Sequence, residues 1–379
     1  MFALLLRRYK GMILASILFF YLGCGITLSF IRIDCVSSLS TTNNRKSKDD
    51  FNTNLERVEY AVLIVSSPMN EAKRDCIRAT WANFVHNIII ENGEHLYKWN
   101  HTWTENSVPQ DFIKCFFVVG VQGLDSVKLK KIQSEHTRSN DLLILSDFED
   151  SYKNLASKLI HSLEWMSKNL KQLKYIIKCD DDSFVRVDLI VRDLEAFAPE
   201  MNGPTISQYV TYKKTLPSYK GLYWGYFDGR ARVFLNGKWQ EKDWFLCDTY
   251  LPYALGGGYV ISRSIVDYIA KNSEFLSQYN SEDVSMGVWT AALDGINRVH
   301  DTRFDTEWKS RGCDNNMLVR HKQTLSDMFQ MYRTLVNSQG TKLCKTEAAL
   351  RNNGNVRTPT LRVIFHGSAS SYCTTTSGD

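Results

Sequence analysis

The stretch Tyr175-Ile-Ile-Lys-Cys-Asp-Asp-Asp182 is the part of this chain that most strongly determines its fold. A short apolar run ends in three consecutive aspartates, which predicts a buried strand with a dense patch of carboxylate at its end. Asp180 and Asp182 can offer hard oxygen ligands to Mg²⁺ or Mn²⁺ and leave coordination positions for phosphate oxygens. The alternative is a solvated acidic turn, the usual structure of a charge cluster. The position after a strand favours the cation site.

Strand patterns alternate with helical patterns on the N-terminal side of this stretch. This alternation predicts an α/β fold with a largely parallel central sheet flanked by helices. Because open parallel sheets bind ligands at the carboxyl ends of their strands, the aspartates lie where a ligand is expected. The predicted strands are Tyr60–Val65, Phe116–Val121, Leu142–Leu145 and Tyr175–Ile177, and the predicted helices end at Trp81, begin at Asp125 and span Tyr152–Leu170.

The N-terminal residues predict a membrane anchor. The uncharged stretch 11–31 is long enough to cross a bilayer as a helix, because about 20 apolar residues suffice. Its bulky side chains favour a signal anchor over a cleaved signal peptide, which has a shorter apolar core. Three basic residues precede the stretch, so residues 1–10 are expected in the cytoplasm and the remaining chain in the lumen. The sequence thus predicts a single-pass type II membrane protein with a luminal stem over residues 32–54.

The luminal part is expected to form one folded unit over residues 55–344, a length that suits a single large core. The polar residues 345–379 form a C-terminal tail that we expect to be partly disordered. The net charge of +5 is modest for 379 residues, and the basic residues are spread along the chain. The composition therefore argues against nucleic acid as a partner.

Nine cysteines are present, one of them, Cys24, inside the predicted membrane span. The other eight are expected either to pair in an oxidising lumen or to be buried as apolar residues, and spacing alone does not determine connectivity. We select Cys313 with Cys344 as a candidate disulfide, because the two bracket a helical segment near the end of the folded unit. Asn100-His101-Thr102 is a candidate site for N-glycosylation.

Aromatic residues are dense in the segment that follows the aspartates. Aromatic rings can pack on the C–H faces of sugars, although most of these rings are expected in the core. Trp224 and Tyr253 are the candidates for contact with a sugar. Gly256-Gly-Gly258 is expected to open the strand Tyr259–Ile261, and it either permits close approach of a ligand or forms a plain turn. The aromatic residues are Tyr223, Trp224, Tyr226, Phe227, Trp239, Trp244, Phe245, Tyr250 and Tyr253.

Two further features are candidates for a site. The pair Glu282-Asp283 precedes an apolar stretch, and its commoner role is to complement a helix dipole. His300 and His321 are candidates to complete a metal shell, although an isolated histidine is more often structural.

Five motifs appear in an order that resembles the β1,3-glycosyltransferase family, which includes β1,3-galactosyltransferases and fringe-like enzymes. The resemblance covers residues 60–344 and implies a GT-A type fold. The motifs are Glu71-Ala-Lys-Arg-Asp-Cys-Ile-Arg-Ala-Thr-Trp81, Asp147-Phe-Glu-Asp-Ser-Tyr-Lys-Asn-Leu-Ala-Ser-Lys158, Lys178-Cys-Asp-Asp-Asp-Ser-Phe-Val185, Tyr253-Ala-Leu-Gly-Gly-Gly-Tyr-Val260 and Glu282-Asp-Val284.

Within that family, segments 223–233, 251–258 and 303–313 are most similar to the galactosyltransferases of the glycosaminoglycan linkage region. The resemblance implies a Golgi enzyme that transfers galactose from UDP-galactose to a galactosyl-xylosyl unit on a proteoglycan serine, with inversion and a β1,3 bond. It also implies association with other linkage-region enzymes. The alternatives are transfer of N-acetylglucosamine, transfer of galactose to a different acceptor, and a catalytically silent lectin-like or chaperone module.

The resemblance also implies roles for individual acidic residues and one histidine. Asp283 is expected to be the general base, with Glu282 orienting it. Asp182 is expected to contact Mn²⁺, or Mg²⁺, directly, and His321 to supply another ligand. Asp180 is expected to act as a ligand, through water, or on the ribose.

The nucleotide side is expected to involve Asp181, which would help to hold the loop, and a set of cations and hydroxyls. The two arginines in this set have an alternative role, which is to hold the first helix in place. The set consists of Ser66, Arg74, Arg78 and Lys158.

Overall fold

The centre of the fold is an eight-stranded sheet among the residues that this computed structural model describes, which are 55–91, 94–97, 99, 112–202, 221–229, 231–238, 240–346 and 363–365. The strands are β1 (Tyr60–Val65), β2 (Ile88–Glu91), β3 (Glu94–Tyr97), β4 (Ile113–Gly120), β5 (Leu142–Leu145), β6 (Tyr175–Asp180), β7 (Phe184–Val185), β8 (Gly221–Asp228), β9 (Tyr253–Ser262), β10 (Ile296–His300), β11 (Phe304–Asp305), β12 (Val319–Arg320) and β13 (Val363–Phe365).

Helices flank this sheet. The α-helices are α1 (Glu71–Ala79), α2 (Ser126–Ser139), α3 (Leu155–Asn169), α4 (Val187–Asn202), α5 (Arg263–Asn272), α6 (Glu282–Ala291) and α7 (Leu325–Asn337), and 3₁₀ helices span Trp81–Asn87, Tyr152–Asn154 and Ser273–Phe275.

The sheet is mixed, which corrects the expectation of a largely parallel one. Its strand order is β13-β10-β8-β9-β6-β1-β4-β5. Strands β6, β1, β4 and β5 are mutually parallel, as expected, but β9 runs antiparallel to both β6 and β8. A strand buried on both faces reads as a continuous apolar run in either direction, so the sequence carried no signal for the reversal.

The predicted elements agree with the structure in type and differ mainly in their ends. Strands β1 and β5 have the predicted bounds, and β6 extends to Asp180. The predicted first helix is an α-helix to Ala79 followed by a 3₁₀ helix. The three glycines at 256–258 lie inside β9, not before a strand, because β9 begins at Tyr253.

Strand β1 is buried on both of its faces. Val62 and Ile64 belong to the core cluster that includes residues of α4 and α7. Ala61 and Leu63 belong to the cluster on the other face, which includes residues of α3 and α5. Successive strand residues point to opposite faces, so burial on both sides explains the unbroken apolar run of this strand.

The C-terminal part of the folded unit is tied down by a disulfide. Cys313 and Cys344 are joined with a Cα–Cα distance of 5.8 Å, and α7 lies between them in the chain. Three other cysteines are free thiols, namely Cys76, Cys115 and Cys179. The segment expected to be a tail contributes β13, which pairs antiparallel with β10 at the edge of the sheet.

Some expectations fall on parts of the chain that the structure does not describe. The predicted cytoplasmic tail, membrane span and stem (residues 1–54) and the candidate glycosylation site at Asn100 lie outside the described residues. Among the residues that are described, none of the helices combines the length and the apolar character needed to cross a membrane.

Candidate active site

A cavity of about 850 Å³ opens at the carboxyl ends of β1 and β6. Its wall is formed by the turn after β6, the middle of β9, the first turn of α6 and the residues that follow β11 and β12. This is the edge of the sheet where the strand pattern placed a ligand. The sequence-predicted residues that line the cavity are Ser66, Lys158, Asp180, Asp181, Asp182, Tyr253, Glu282, Asp283 and His321.

The candidate cation site joins the acidic turn to a distant histidine. Asp180 ends β6, and pairing of β7 with β12 places His321 beside that turn. His321 Nε2 lies 3.4 Å from Asp180 Oδ2 and 3.1 Å from Asp182 Oδ1. Each of these three residues offers one ligand atom, and those atoms lie within 4.8 Å of one another. The structure thus brings together the three residues expected to bind a metal.

The chemistry of this cluster fits a divalent cation. Burial works to lower the pKa of His321, but hydrogen bonds with Asp180 and Asp182 outweigh it and raise the pKa to about 9. The carboxylates therefore already stabilise a positive charge at this position. Two carboxylates and an imidazole form a mixed oxygen and nitrogen donor set, which first-row divalent cations, Mn²⁺ among them, can accept.

Lys178 connects the cation site to the first turn of α6. Its side chain is fully buried, and Nζ donates to Asp180 Oδ1 at 3.0 Å, to Glu282 Oε1 at 2.7 Å and to the carbonyl oxygen of Gly256 at 2.6 Å. Burial opposes the charge, yet Asp180 and Glu282 hold the Lys178 pKa above its ordinary range. The ammonium therefore offsets part of the negative charge of both acidic groups.

Asp283 occupies the first turn of α6 and faces the glycines of β9. Its Oδ2 accepts a hydrogen bond from the Gly256 amide at 2.9 Å, and its Oδ1 accepts one from the Val284 amide at 2.9 Å. Burial, and next the charge of Glu282, raise the pKa of Asp283 to about 7. A carboxylate with a pKa near neutrality is suited to act as a general base.

The glycines of β9 permit this close approach. A Cβ at Gly256 would lie 2.7 Å from Glu282 Oε1, and a Cβ at Gly257 would lie 2.5 Å from the imidazole ring of His321. Of the two roles that the sequence left open, the structure supports close approach over a plain turn. The groups that approach are the protein's own side chains.

Asp181 helps to hold the loops around it, which is the structural role expected of it. Its carboxylate accepts hydrogen bonds from Ser66 Oγ at 2.9 Å, Asn70 Nδ2 at 2.7 Å and Lys73 Nζ at 2.8 Å. Lys158 is buried, donates to Asp150 Oδ2 at 2.6 Å and also donates to the carbonyl oxygen of Ser66. These contacts join the turn after β6 to the segment between β1 and α1.

Arg74 and Arg78 do not line the cavity, which corrects their assignment to the nucleotide side. Arg74 is fully buried and donates from Nε and Nη2 to the two carboxylate oxygens of Glu135 at 2.7 and 2.6 Å. Arg78 donates to Asp141 at 2.8 Å through both Nε and Nη2. Paired guanidinium and carboxylate groups hold α1 in place, the alternative that the sequence left open.

Trp224 is a core residue, which corrects its assignment to sugar binding. Its side chain is fully buried, Nε1 donates to Asp301 Oδ2 at 3.1 Å, and its ring packs edge-on against Phe304. Tyr253, the other candidate, lines the cavity. His300 accepts a hydrogen bond from the Phe227 amide at 3.1 Å and does not line the cavity.

Lys178 is not among the residues that the sequence predicted for the site. A signal for it exists, because residues two apart on a strand point to the same face and Lys178 precedes Asp180 by two. Thr306 and Trp308, which line the cavity from the segment after β11, were also missed. No local pattern distinguishes those two from ordinary loop residues.

Comparison with known proteins identifies the family of this chain. The family profile described as galactosyltransferase matches residues 72–302. Beta-1,3-galactosyltransferase 6 of Mus musculus is 38% identical over 291 residues, which cover 77% of this chain and 77% of that protein. UDP-GalNAc:beta-1,3-N-acetylgalactosaminyltransferase 2 of Xenopus laevis is 31% identical over 202 residues, which cover 53% of this chain and 36% of that protein.

Among solved structures, galactosyltransferase LgtC aligns over 64% of this chain and 74% of that chain with 11% identity and a TM-score of 0.27. That likeness is too low to carry an argument. The family profile and the mouse relative carry the assignment, since each covers more than half of this chain. This chain therefore belongs to the galactosyltransferase family, among its β1,3-glycosyltransferases.

Proposed function

We propose that this chain is an inverting, cation-dependent β1,3-galactosyltransferase of GT-A type. Its donor is UDP-galactose and its acceptor is the galactosyl-xylosyl unit of the glycosaminoglycan linkage region, so that it adds the second galactose. The name of the mouse relative supports galactose as the transferred sugar and the β1,3 bond, and the three similar segments of the sequence support the donor and the acceptor.

The observation that carries the proposal is the shared cavity of Asp283 and the cluster of Asp180, Asp182 and His321. Transfer with inversion needs a base for the acceptor hydroxyl and a positive charge beside the leaving diphosphate. Asp283 would take the proton of the acceptor 3-hydroxyl while that oxygen forms a bond to the anomeric carbon. The bond from the anomeric carbon to the UDP oxygen breaks in the same step, and UDP leaves with its electron pair.

Asp180, Asp182 and His321 would hold Mn²⁺ or Mg²⁺, which supplies Lewis-acid stabilisation of the diphosphate charge when bound. Lys178 would keep Asp180 and Glu282 in place through its three hydrogen bonds. Glu282 in turn contributes to the raised pKa of its neighbour Asp283. This arrangement lets one carboxylate titrate near neutrality while Asp180 stays ionised.

The proposal also includes the cellular location of the protein. The apolar stretch at residues 11–31 would anchor the chain in the Golgi membrane with its folded unit in the lumen, where acceptor glycans and other linkage-region enzymes meet it.

The test is galactose transfer by the full chain in detergent micelles. UDP-galactose and a galactosyl-β1,4-xyloside are supplied with Mn²⁺ or with a chelator, and the product linkage is determined. We expect a β1,3-linked galactosyl product that requires the cation. A preference for UDP-N-acetylglucosamine would show that the donor is different. Absence of transfer in folded protein that binds Mn²⁺ and UDP would point to a different acceptor, and failure to bind them would favour the silent lectin-like module.

A further inference from the structure

Trp308 lines the cavity with a largely exposed indole, and the proposed chemistry assigns no role to it. The residue is 67% exposed. Scattered exposed apolar residues are ordinary on protein surfaces, so exposure alone carries no conclusion. Position distinguishes this residue, because among the exposed large hydrophobic residues of the described segments only Phe234 and Trp308 line the cavity.

The loop that carries Trp308 is held at its base. The buried carboxylate of Asp305 accepts hydrogen bonds from the Ser310 hydroxyl and, at 3.1 Å, from the Arg311 amide. The Arg311 guanidinium donates to the carbonyl oxygen of Phe304 at 2.8 Å. A loop fixed in this way positions its aromatic side chain before a ligand arrives, which reduces the entropy that binding must lose.

Lys322, which follows the candidate metal ligand His321 in the chain, contacts Trp308. Its ammonium lies 3.6 Å from the centroid of the indole ring and donates to the Trp308 carbonyl oxygen at 3.0 Å. Lys322 has a φ of 58°, an uncommon left-handed conformation for a residue other than glycine. Such strain persists where the surrounding structure imposes it, and it often marks a functional site.

The neighbours of Lys322 impose that conformation. The His321 amide donates to the carbonyl oxygen of Asp305 at 3.0 Å, and the Gln323 amide donates to the carbonyl oxygen of Asp182 at 2.8 Å. The segment that supplies the candidate metal ligand His321 is thus the same segment that positions Lys322 against the indole. The position of Trp308 is therefore fixed relative to His321 and Asp182.

We propose that Trp308 is the platform on which a pyranose ring of the acceptor glycan packs. This inference rests on the proposed function, and it deepens that function by naming an acceptor-binding residue. Under the proposed function, the acceptor continues into the rest of its glycan and must leave the cavity at its mouth, whereas the transferred sugar and the diphosphate would lie deeper, beside Asp283 and Asp182. The C–H face of a pyranose is apolar and packs on the face of an aromatic ring. Because the Lys322 ammonium lies over one face of the indole, the pyranose would pack on the other face.

The test compares Trp308→Ala and Trp308→Phe with the wild-type full chain in detergent micelles. Acceptor KM is measured at saturating UDP-galactose, and donor KM at saturating galactosyl-xyloside. We expect Trp308→Ala to raise the acceptor KM about tenfold, or about 1.4 kcal/mol, and Trp308→Phe to raise it by a smaller factor. Donor KM and Tm are expected to stay at wild-type values, because the indole is exposed and lies away from the core.

Phe275→Ala is the matched control. Phe275 is an aromatic residue that is 84% exposed and does not line the cavity. Its removal is expected to leave both KM values unchanged. An unchanged acceptor KM in Trp308→Ala would overturn the proposal, as would an equal rise in the donor KM.

Direct binding separates this inference from the proposed function. Saturation-transfer NMR with UDP and Mn²⁺ reports whether galactosyl-xyloside, or another β-glycoside of a small panel, contacts the protein. If the wild-type chain transfers no galactose, the proposed function fails. In that case, the proposed role of Trp308 is supported if a glycoside binds the wild-type protein and binds the Trp308→Ala variant about tenfold more weakly. The role is refuted if no glycoside binds, or if one binds both proteins equally well.

Discussion

Asp283→Asn is expected to abolish transfer and, at neutral pH, to stabilise the fold. The carboxylate of Asp283 accepts hydrogen bonds from the Gly256 and Val284 amides; the amide oxygen of asparagine can keep the first bond, whereas its NH2 group cannot accept the second. The substitution therefore removes the charge and keeps the shape. We expect a loss of transfer together with a gain of stability, because the charged carboxylate of Asp283 is needed for catalysis but is destabilised by burial and by the charge of Glu282.

The magnitude follows from the pKa. Burial and Glu282 raise the pKa of Asp283 from 3.8 to about 7, and each pKa unit corresponds to about 1.36 kcal/mol. The upper limit for the cost of the charge in the folded state is thus about 4 kcal/mol. Asp283 is partly exposed, local relaxation lowers this cost, and loss of the Val284 bond offsets part of the gain, so we expect a net stabilisation of about 2 kcal/mol.

The direction of the stability change in Asp283→Asn can be checked by varying the pH. Since the folded pKa is above the unfolded one, the stability that protonated Asp283 contributes is present below about pH 4 and is lost as the pH rises to about 7. The asparagine variant does not titrate. The difference in Tm between variant and wild type should therefore grow by about 4 to 8 °C between pH 4.5 and pH 8.

Thermal unfolding in the presence of a chelator measures this difference. Asp147→Asn is the control, because Asp147 is an exposed carboxylate outside the cavity. Its difference in Tm from wild type is expected to stay constant with pH. A constant difference for Asp283→Asn as well, or full transfer activity in that variant, would refute the reasoning.

Three further predictions follow from the site and its support. The kcat/KM of wild type should fall tenfold per pH unit below about pH 7, since Asp283 must be deprotonated to act as a base; a flat profile down to pH 5 would contradict this. Gly257→Ala should weaken Mn²⁺ binding, measured by calorimetry, because the added Cβ would lie 2.5 Å from the ring of His321; binding at wild-type affinity would show that the ring moves freely. Arg74→Ala should lower the free energy of unfolding, measured in urea, by about 3 kcal/mol, because the buried carboxylate of Glu135 loses one of its guanidinium partners. Wild-type stability of this variant would contradict the structural role of Arg74 and favour its original assignment to nucleotide binding.

Much of the fold was predictable because local patterns of apolar and polar residues indicate where strands and helices lie. Strands β1 and β5 have the bounds that their apolar runs predicted, and the aspartates follow β6 at the edge where the cavity lies. The antiparallel direction of β9 was not predictable, because a fully buried strand has the same composition in either direction.

The sequence by itself determined the alternation of elements, the acidic turn at Asp180 and Asp182, and the acidic pair at Glu282 and Asp283. Only the tertiary structure decided which side chains meet. It placed His321 beside Asp182, buried the Trp224 side chain in the core against Phe304 and directed Arg74 to Glu135. The physical reason is that a local pattern records whether a residue is apolar or charged, whereas its partner depends on strand pairing and packing between residues far apart in the chain.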